Sequence, residues 1–340
     1  MKWELIMIHR SIVRKNNHCF IYRDNAARIV AMNRPTEIAE IVQINVNCWI
    51  ESHCEFGKSP LWDSQSEALW WVDSQQNQLF KMDGCVGDNS NEILRSWSLD
   101  AYIYGIGLIK ENRVILATNK GLMIFDALTG TKHYITETEY LSNLGIITDC
   151  SVGPDGRFWF GIMNENNVSS MIYSYHPHEG IRKQTYDKGF YTSIVWNHAQ
   201  SVIYTAEKTT QTVYQYTPST CMNQTFERSP FFRLYDAYPQ GCTIDQEGCL
   251  WSCHRGAKRI VRYSPTGQPI AQINLPVSQP ISCCFGGVDL DELFITTARL
   301  GLNEFGRAKE PLAGSILKVK LPVGGYPSLE MQPTPIPLSA

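Results

Sequence analysis

The sequence has no long apolar run, no strong excess of charge of either sign and no C-x-x-C motif. None of its apolar stretches approaches the ~20 residues that an ordinary membrane-spanning helix requires. The formal net charge of −3 gives no reason to expect a nucleic acid or an anionic membrane as a partner. We therefore expect neither a nucleic acid nor a membrane as a partner.

The eleven cysteines are scattered along the chain, with one adjacent pair at Cys283 and Cys284. Such scatter is more typical of buried free thiols in a reducing compartment than of a disulfide framework. Residues 1–20 contain no continuous apolar segment followed by a small-residue cleavage site, so they do not resemble a secretion signal. These features predict a cytoplasmic protein.

The stretch FGKSPLWDSQSEALWWVD at residues 56–73 contains a Gly-Lys-Ser sequence of the kind that ends a phosphate-binding loop. Such a loop needs a glycine five residues earlier, where this chain has Ser52, and a helix directly after it. Here Pro60 and a series of bulky and aromatic residues follow, which predicts a strand. The sequence therefore excludes a phosphate-binding loop, and the presence of Lys58 needs another explanation.

A pattern of an apolar pair, a polar turn and an apolar strand recurs along the chain. Its anchor residues are Trp70, Ile115, Trp159, Tyr204, Trp251 and Phe294, which by subtraction lie 45, 44, 45, 47 and 43 residues apart. A further apolar strand follows each anchor, at 78–82, 121–125, 171–175, 212–216, 259–263 and 315–319. A repeat of this length with about four strands is typical of a propeller blade. We predict an all-β fold, a six-bladed β-propeller of four-stranded antiparallel blades.

The repeat also predicts the domain boundaries. Residues 41–322 form the propeller, in which the alternating segment 41–50 closes the ring against the last blade and removes the free sheet edges. Residues 1–40 lack the pattern and are predicted to be an N-terminal extension. Residues 323–340 are predicted to be a C-terminal tail.

Several segments carry a family resemblance in a fixed order. They read GKSPLWD and LWWVD, VGPDGRFWFGIM, PQGCTIDQEGCLW, PISCCFGGVDLDELFITTAR and PLAGSILKV. Together they resemble the SMP-30/gluconolactonase/regucalcin family of sugar-lactone hydrolases. The resemblance implies a six-bladed propeller with a divalent cation, such as Ca²⁺ or Zn²⁺, at the top of its central channel. A cation there polarises the lactone carbonyl and stabilises the oxyanion that forms.

Transferred residue by residue, the resemblance places no metal ligand where the family has one. The family's glutamate, asparagine and aspartate ligands fall on Lys58, Thr192 and Gln240 of this chain. The exchange replaces about two negative charges by one positive charge. An ammonium ~4 Å from a divalent cation is repelled by roughly 8 kcal/mol at an effective dielectric constant of ~20. We therefore predict no metal and no other cofactor, although the family normally uses a divalent cation.

The resemblance also indicates where a substrate would bind. The family's Arg-x-Asn-Asp motif falls on residues 146–149, so that Asp149 is retained and Thr148 replaces the asparagine. A further acidic position of the family falls near Asn166, next to Glu165. The catalytic candidates are Asp149, Lys58 and Glu207, and the substrate-binding candidates are Thr148, Thr192, Gln240, Asn166 and Arg255.

Each candidate has an alternative structural interpretation. Asp149 could stabilise a turn, and Glu207 could form a salt bridge within a turn. His254 could be an ordinary core histidine, or the base that activates a Cys242 nucleophile.

Three functions remain open at this stage, and the fold alone cannot choose among them. The first is a sugar-lactone hydrolase in which the usual metal ligands are replaced. The second is a catalytically inactive propeller that binds a small polar or anionic ligand, such as a sugar lactone or a sugar acid. The third is a scaffold for partner proteins, which nothing in the sequence favours. The sequence thus leaves open whether the protein is an enzyme.

Overall fold

The structure is a computed structural model that describes residues 26–33, 37–83, 92–135, 141, 145–164, 170–185, 190–197, 201–218 and 226–331. For residues 26–33 and 37–45 it describes the strands without their side chains. The predictions for residues 1–25, 34–36 and 332–340 therefore lie outside the described residues. Within the described ranges, no helix has both the length and the apolar character needed to cross a membrane.

Strands account for nearly all of the regular structure. Three strands precede the first blade: β1 (Ala26–Asn33), β2 (Glu37–Asn45) and β3 (Asn47–Ile50). The first three blades contain β4 (Gly57–Asp63), β5 (Ala68–Asp73), β6 (Gln78–Asp83) and β7 (Ile93–Ser98); β8 (Ile103–Ile109), β9 (Arg113–Thr118), β10 (Gly121–Asp126) and β11 (Lys132–Tyr134); and β12 (Ile146–Val152), β13 (Phe158–Met163), β14 (Ser170–His176) and β15 (Gly180–Lys183).

The last three blades follow the same order. They contain β16 (Tyr191–Asn197), β17 (Val202–Glu207), β18 (Thr212–Pro218) and β19 (Phe226–Arg233); β20 (Tyr238–Ile244), β21 (Leu250–Arg255), β22 (Arg259–Tyr263) and β23 (Pro269–Asn274); and β24 (Pro280–Gly286), β25 (Glu292–Thr297) and β26 (Ile316–Lys320). One short helix, α1 (Glu304–Lys309), lies between β25 and β26.

The prediction of a six-bladed propeller is confirmed. Neighbouring strands pair antiparallel, in chain order except that β3 supplies the outer strand of the sixth blade. The first strands of the blades contact one another around the channel; they are β4, β8, β12, β16, β20 and β24. All six predicted anchors lie in the second strands of their blades, and these strands are almost entirely buried. Because second strands are covered on both faces, they read as continuous apolar runs, which is why they gave the clearest repeat signal.

The ring closes close to where the sequence predicts it. β3 pairs with β26, with Ile50 opposite Ile316 and Cys48 opposite Leu317, and so completes the sixth blade. The closing strand is shorter than the predicted segment 41–50, since residues 41–45 belong to β2. β2 pairs with β1, and β1 pairs with β23, so that these two strands extend the fifth blade to six strands.

The hydrophobic core lies between adjacent blades. Trp62 of the first blade stacks on Phe294 of the sixth, with ring centroids 5.5 Å apart and planes 9° apart. Trp159 of the third blade meets Trp196 of the fourth edge to face at 4.9 Å. Such aromatic pairs bury large apolar areas and prefer stacked or edge-to-face geometry. The many tryptophans and tyrosines thus hold the blades in the ring.

The hairpin turns use residues that tolerate left-handed backbone. Asn77 and Asn112 have φ values of 55° and 58°, and Gly156 and Gly248 have values of 71° and 75°. Asparagine and glycine adopt this region at low cost. The turn signals in the sequence therefore mark the ends of the strands.

The eight cysteines in the described part of the chain are all free thiols, and seven of them are buried. This agrees with the prediction of buried free thiols. Burial raises the pKa of the Cys54 thiol to about 12, so this group stays protonated and behaves as a small apolar side chain.

The segment that follows β26 crosses one face of the ring. Gly325 pairs with Asp245, directly after β20, and Glu330 pairs with Leu108 near the end of β8. The amide of Met331 donates to the carbonyl of Leu108 at 2.8 Å, and the Met331 side chain is buried between the second and third blades. Residues 325–331, called the closing segment below, therefore cover the end of the channel at which the first strands finish.

Candidate functional site

Each first strand carries a β-bulge close to its beginning. The residues left out of the regular pairing are Ser59 and Pro60 in β4, Tyr104 in β8, Thr148 and Asp149 in β12, Thr192 in β16, Gln240 and Gly241 in β20, and Ile281 in β24. A bulge bends the strand and redirects side chains, and bulges are frequent next to active sites. The bulges form a ring at the end of the channel where the strands begin, called the upper end below.

An ion pair lies at the upper end. The Nζ atom of Lys58 is 3.2 Å from Oδ1 of Asp149 and donates to the carbonyl of Thr148 at 3.1 Å. Both charged side chains are only 12% exposed. The pair joins the first blade to the third across the start of the second. It therefore unites three of the residues that the sequence predicts for the site.

Gly105 of the second blade lets these two blades approach each other. A Cβ atom at this position would lie 2.4 Å from Sγ of Cys150 and 3.0 Å from Oγ of Ser59. Any side chain on Gly105 would therefore push the first and third blades apart. The glycine thus helps to bring Lys58 within reach of Asp149.

Asp149 is held on both of its oxygen atoms. Oδ2 accepts a hydrogen bond from the amide of Ile194 at 2.9 Å, while Oδ1 faces Lys58. Burial raises the pKa of the Asp149 carboxyl, and the charge and hydrogen bond of Lys58 counteract this rise. A carboxylate with a raised pKa is a stronger base than one in free solvent.

Three further polar side chains at the upper end are neutral. Thr192 Oγ1 donates to the carbonyl of Pro239 at 2.9 Å, which links the fourth blade to the fifth. Gln240 is buried beside it. The hydroxyl of Thr148 is also buried, and it finds no hydrogen-bond partner within the described residues. Thr148, Thr192 and Gln240 thus lie around the same ring of bulges as Lys58 and Asp149.

A cavity of about 120 Å³ occupies the channel below the ion pair. Asp149 lines its upper part, hydroxyl and thiol groups of Ser193, Cys242 and Ser282 line its wall, and residues 326–329 of the closing segment form its floor. A cavity of this volume with polar walls can hold several water molecules.

Two further candidates lie apart from the ion pair. Oε2 of Glu207 accepts from Thr210 at 2.8 Å and from Arg228 at 3.0 Å, within the fourth blade. The structure therefore pairs Lys58 with Asp149, whereas Glu207 forms a salt bridge with Arg228 on another strand of the fourth blade. Arg255 donates to Oε1 of Gln279 and lies over the ring of Phe56. Asn166 and Glu165 are outside the described residues.

The contacts of His254 favour its interpretation as a core histidine. Nδ1 accepts from Nε of Arg259 at 3.1 Å, and Nε2 lies 3.3 Å from the hydroxyl of Tyr263. Burial, aided by the charge of Arg259, lowers the pKa of His254 to about 3. Burial likewise raises the pKa of Cys242 to about 12. With these pKa values Cys242 is not an activated nucleophile and His254 is not the base that activates it, which was the alternative that the sequence left open.

Two tyrosines at the upper end were missed by the sequence analysis. The rings of Tyr102 and Tyr104 lie 4.8 Å apart, and Gln75 donates to the Tyr102 hydroxyl at 3.1 Å. Burial raises the pKa of Tyr102, and the charge of Lys58 partly opposes this rise. Superposing the repeats would have revealed them, because Tyr102 directly precedes β8 and Tyr104 is the bulged residue within it.

Carboxylates elsewhere near the upper end are already engaged. Glu55 accepts from Nε of Arg299 at 2.8 Å and from Arg307 at 3.1 Å. Asp73 accepts from the backbone amides of Glu55 and Phe56. Over the described ranges, no three His, Cys, Asp or Glu side chains form a group that could hold a metal ion.

Comparison with known proteins gives a consistent result. Residues 56–299 match the family model described as the SMP-30/Gluconolactonase/LRE-like region. Regucalcin of Bos taurus is 26% identical over 307 residues, covering 84% of this chain and 97% of the relative. Regucalcin of Homo sapiens is 24% identical over 287 residues, covering 81% of this chain and 94% of the relative.

Solved structures share the fold. A luciferin-regenerating enzyme superposes with a TM-score of 0.74 at 21% identity, covering 85% of this chain and 100% of its own. A gluconolactonase from Xanthomonas campestris superposes with a TM-score of 0.68 at 16% identity, covering 88% of this chain and 96% of its own. At these identities the likeness shows that the chains share a fold.

Proposed function

Because this chain belongs to the SMP-30/gluconolactonase/LRE-like family, we propose that it hydrolyses sugar lactones and that Lys58 supplies the positive charge that a metal ion supplies elsewhere in the family. Its relatives include a gluconolactonase with the same fold. The observation that carries the proposal is the ion pair of Lys58 and Asp149 within the ring of bulges at the upper end.

The side chains at this end do not fit a divalent cation. Hard cations such as Ca²⁺ prefer several oxygen ligands with carboxylates among them. The ion pair offers a cation one carboxylate, that of Asp149, and the ammonium of Lys58 already balances its charge. The Thr192 hydroxyl is directed at the Pro239 carbonyl. A cation would have to displace the ammonium to enter.

In this proposal the ammonium of Lys58 stabilises the oxyanion. An ammonium has three N–H groups, and the contacts with Thr148 and Asp149 use two of them. The third is available to the carbonyl oxygen of a lactone. A fixed donor in a partly buried site stabilises developing negative charge more strongly than water does.

Asp149 acts as the general base. A water molecule attacks the carbonyl carbon, and its proton passes to Asp149. The bond between the carbonyl carbon and the ring oxygen then breaks, and the proton passes to the departing ring oxygen, which becomes a hydroxyl group. One water is consumed, and the product is an open-chain sugar acid. The raised pKa of the Asp149 carboxyl suits it to this transfer.

The test is hydrolysis of D-glucono-1,5-lactone by the wild-type protein with and without EDTA. We expect hydrolysis that EDTA does not change. Lys58→Met should lower kcat/KM roughly 100-fold or more, as loss of one oxyanion donor does elsewhere. Lys58→Arg should retain part of the activity, because it keeps the charge.

Lys120→Met serves as the matched control, since Lys120 forms an exposed ion pair with Asp100 away from the channel. Circular dichroism should show that each variant is folded. Activity that depends on added metal, or full activity in Lys58→Met, would contradict the proposal. Ligand binding without any hydrolysis would instead favour the inactive binding propeller.

A further inference from the structure

Arg255 lies at the upper end in a fixed orientation. It is the last residue of β21 and is paired with Tyr238 at the start of β20. Its Nε donates to Oε1 of Gln279 at 2.8 Å, and Nη2 donates to the same oxygen. Gln279 is buried and is anchored in turn by a 3.0 Å hydrogen bond to the carbonyl of Leu300. The ring of Phe56 lies 5.7 Å from the guanidinium carbon.

Within the part of the chain whose side chains are described, Arg255 differs from the other arginines of its blade in having no counter-ion. Arg259 binds Asp236 at 2.7 Å, and Arg262 binds Asp245 at 2.7 Å. Among the residues whose side chains are described, no carboxylate lies within 4 Å of the Arg255 guanidinium. Glu55, which adjoins Phe56 in the chain, is occupied by Arg299 and Arg307.

The guanidinium of Arg255 therefore has no carboxylate beside it among the side chains that the structure describes. Asp149 balances Lys58, whereas Arg255 is half-buried and unbalanced. Burial lowers the pKa of Arg255, which reflects the cost of removing its charge from water. An anionic group on a ligand would offset that cost.

We propose that Arg255 binds an anionic group, a phosphate or a carboxylate, on the small molecule that enters the upper end. Gln279 engages Nε and one N–H of Nη2, which leaves the outer N–H groups of the guanidinium free. These form the planar fork that binds two oxygens of a carboxylate or phosphate. The ligand class is a sugar derivative that bears such a group. The inference that the ligand is a lactone rests on the proposed function, whereas the inference that it is negatively charged does not.

Isothermal titration calorimetry with three probes tests this inference. D-Glucose 6-phosphate carries the phosphate, D-gluconate carries the carboxylate, and D-glucose carries neither. We expect at least one anionic probe to bind about tenfold or more tightly than D-glucose, and the two anions together show which group Arg255 prefers. Arg255→Gln should weaken the binding of that anion about tenfold to hundredfold and leave the affinity for D-glucose unchanged.

Two further variants separate charge recognition from folding. Gln279→Glu places a carboxylate against Arg255. It should weaken the binding of the anion as much as Arg255→Gln does, with little change in Tm. Arg233→Gln is the matched control, because Arg233 is exposed, lies 5.4 Å from the ring of Tyr235 and has no carboxylate partner in the described part of the chain. It should leave the affinities unchanged.

Equal affinity for D-glucose and both anions would overturn the inference, as would wild-type anion affinity in Arg255→Gln and Gln279→Glu. Anion binding that depends on Arg255, without hydrolysis of any lactone, would support the inference while contradicting the proposed function. The two proposals therefore fail by different results.

Discussion

The two ends of the channel differ in chemistry although the same six strands build both. At the upper end every strand carries a bulge, and the bulges bring Lys58 and Asp149 together in a site that is only 12% exposed. At the lower end the closing segment covers the channel, with residues 326–329 as the floor of the cavity. The comparison shows that one regular repeat can hold a largely buried charge pair at one end of its channel and be closed by packing at the other end. The following predictions test this division.

The largest effect should come from breaking the ion pair. Lys58→Met leaves the Asp149 carboxylate buried without its counter-ion and should lower the free energy of unfolding by about 3–5 kcal/mol. Urea denaturation measures this change. The double variant Lys58→Met with Asp149→Asn should recover part of the loss, since no uncompensated charge remains.

The exposed pair of Lys120 and Asp100 provides the control for that prediction. Lys120→Met should change the free energy of unfolding by less than about 1 kcal/mol, as is typical of surface ion pairs. If Lys58→Met were equally mild, the upper end would be far more hydrated than its burial indicates.

A smaller effect is expected at the lower end. Met331 is 1% exposed, and Met331→Ala should cost about 2–4 kcal/mol through the cavity that it leaves. The affinity for D-glucose 6-phosphate should not change, because the upper end is built by other residues. A parallel loss of ligand affinity would show that the two ends are coupled.

Reversing the charge of the upper end should create a metal site. Lys58→Glu, Thr192→Asn and Gln240→Asp together should make Tm rise on addition of CaCl₂ or ZnCl₂. At a free metal concentration of one hundred times Kd, binding should stabilise the folded protein by about 2.7 kcal/mol. Each single change should do much less. The wild-type protein should show no such rise. If it does, Glu55 is the first alternative ligand to replace.

The effect that is smallest at neutral pH concerns acid. His254 keeps a pKa of about 3 in the folded protein, while the unfolded chain binds a proton near pH 6.5. Stability is therefore fully present above pH 6.5 and is lost as the pH falls toward 3, by up to about 1.4 kcal/mol per pH unit from this group. His254→Asn should flatten the pH dependence by about one proton, whereas Met331→Ala should keep the wild-type slope. Equal slopes in all three proteins would contradict the assignment.

The sequence predicts the site positions better than their contacts. Asp149, Thr192 and Gln240 lie in the ring of bulges and Lys58 directly precedes the bulge of β4, as motif positions within a regular repeat allow one to infer. Glu207 could not be assigned in this way, because its partner Arg228 lies on another strand of the same blade. The local sequence around Glu207 contains no information on which cation reaches it.

The sequence by itself determined the fold of this protein. Each blade is specified by a local alternation of apolar strands and turns, repeated about every 45 residues. The predicted ring-closing segment 41–50 contains β3 (Asn47–Ile50), the strand that closes the ring, although its first half belongs to β2.

Only the tertiary structure decided how the charges are distributed. Lys58 meets Asp149, Arg255 meets an amide instead of a carboxylate, and Met331 reaches the second blade. These contacts join residues that are tens to hundreds of positions apart, and they exist because closure of the ring brings all six first strands around one channel. The spacing of residues along the chain cannot report such distances. The chemistry of the site therefore depends on the closed ring, whereas the ring itself depends on local patterns.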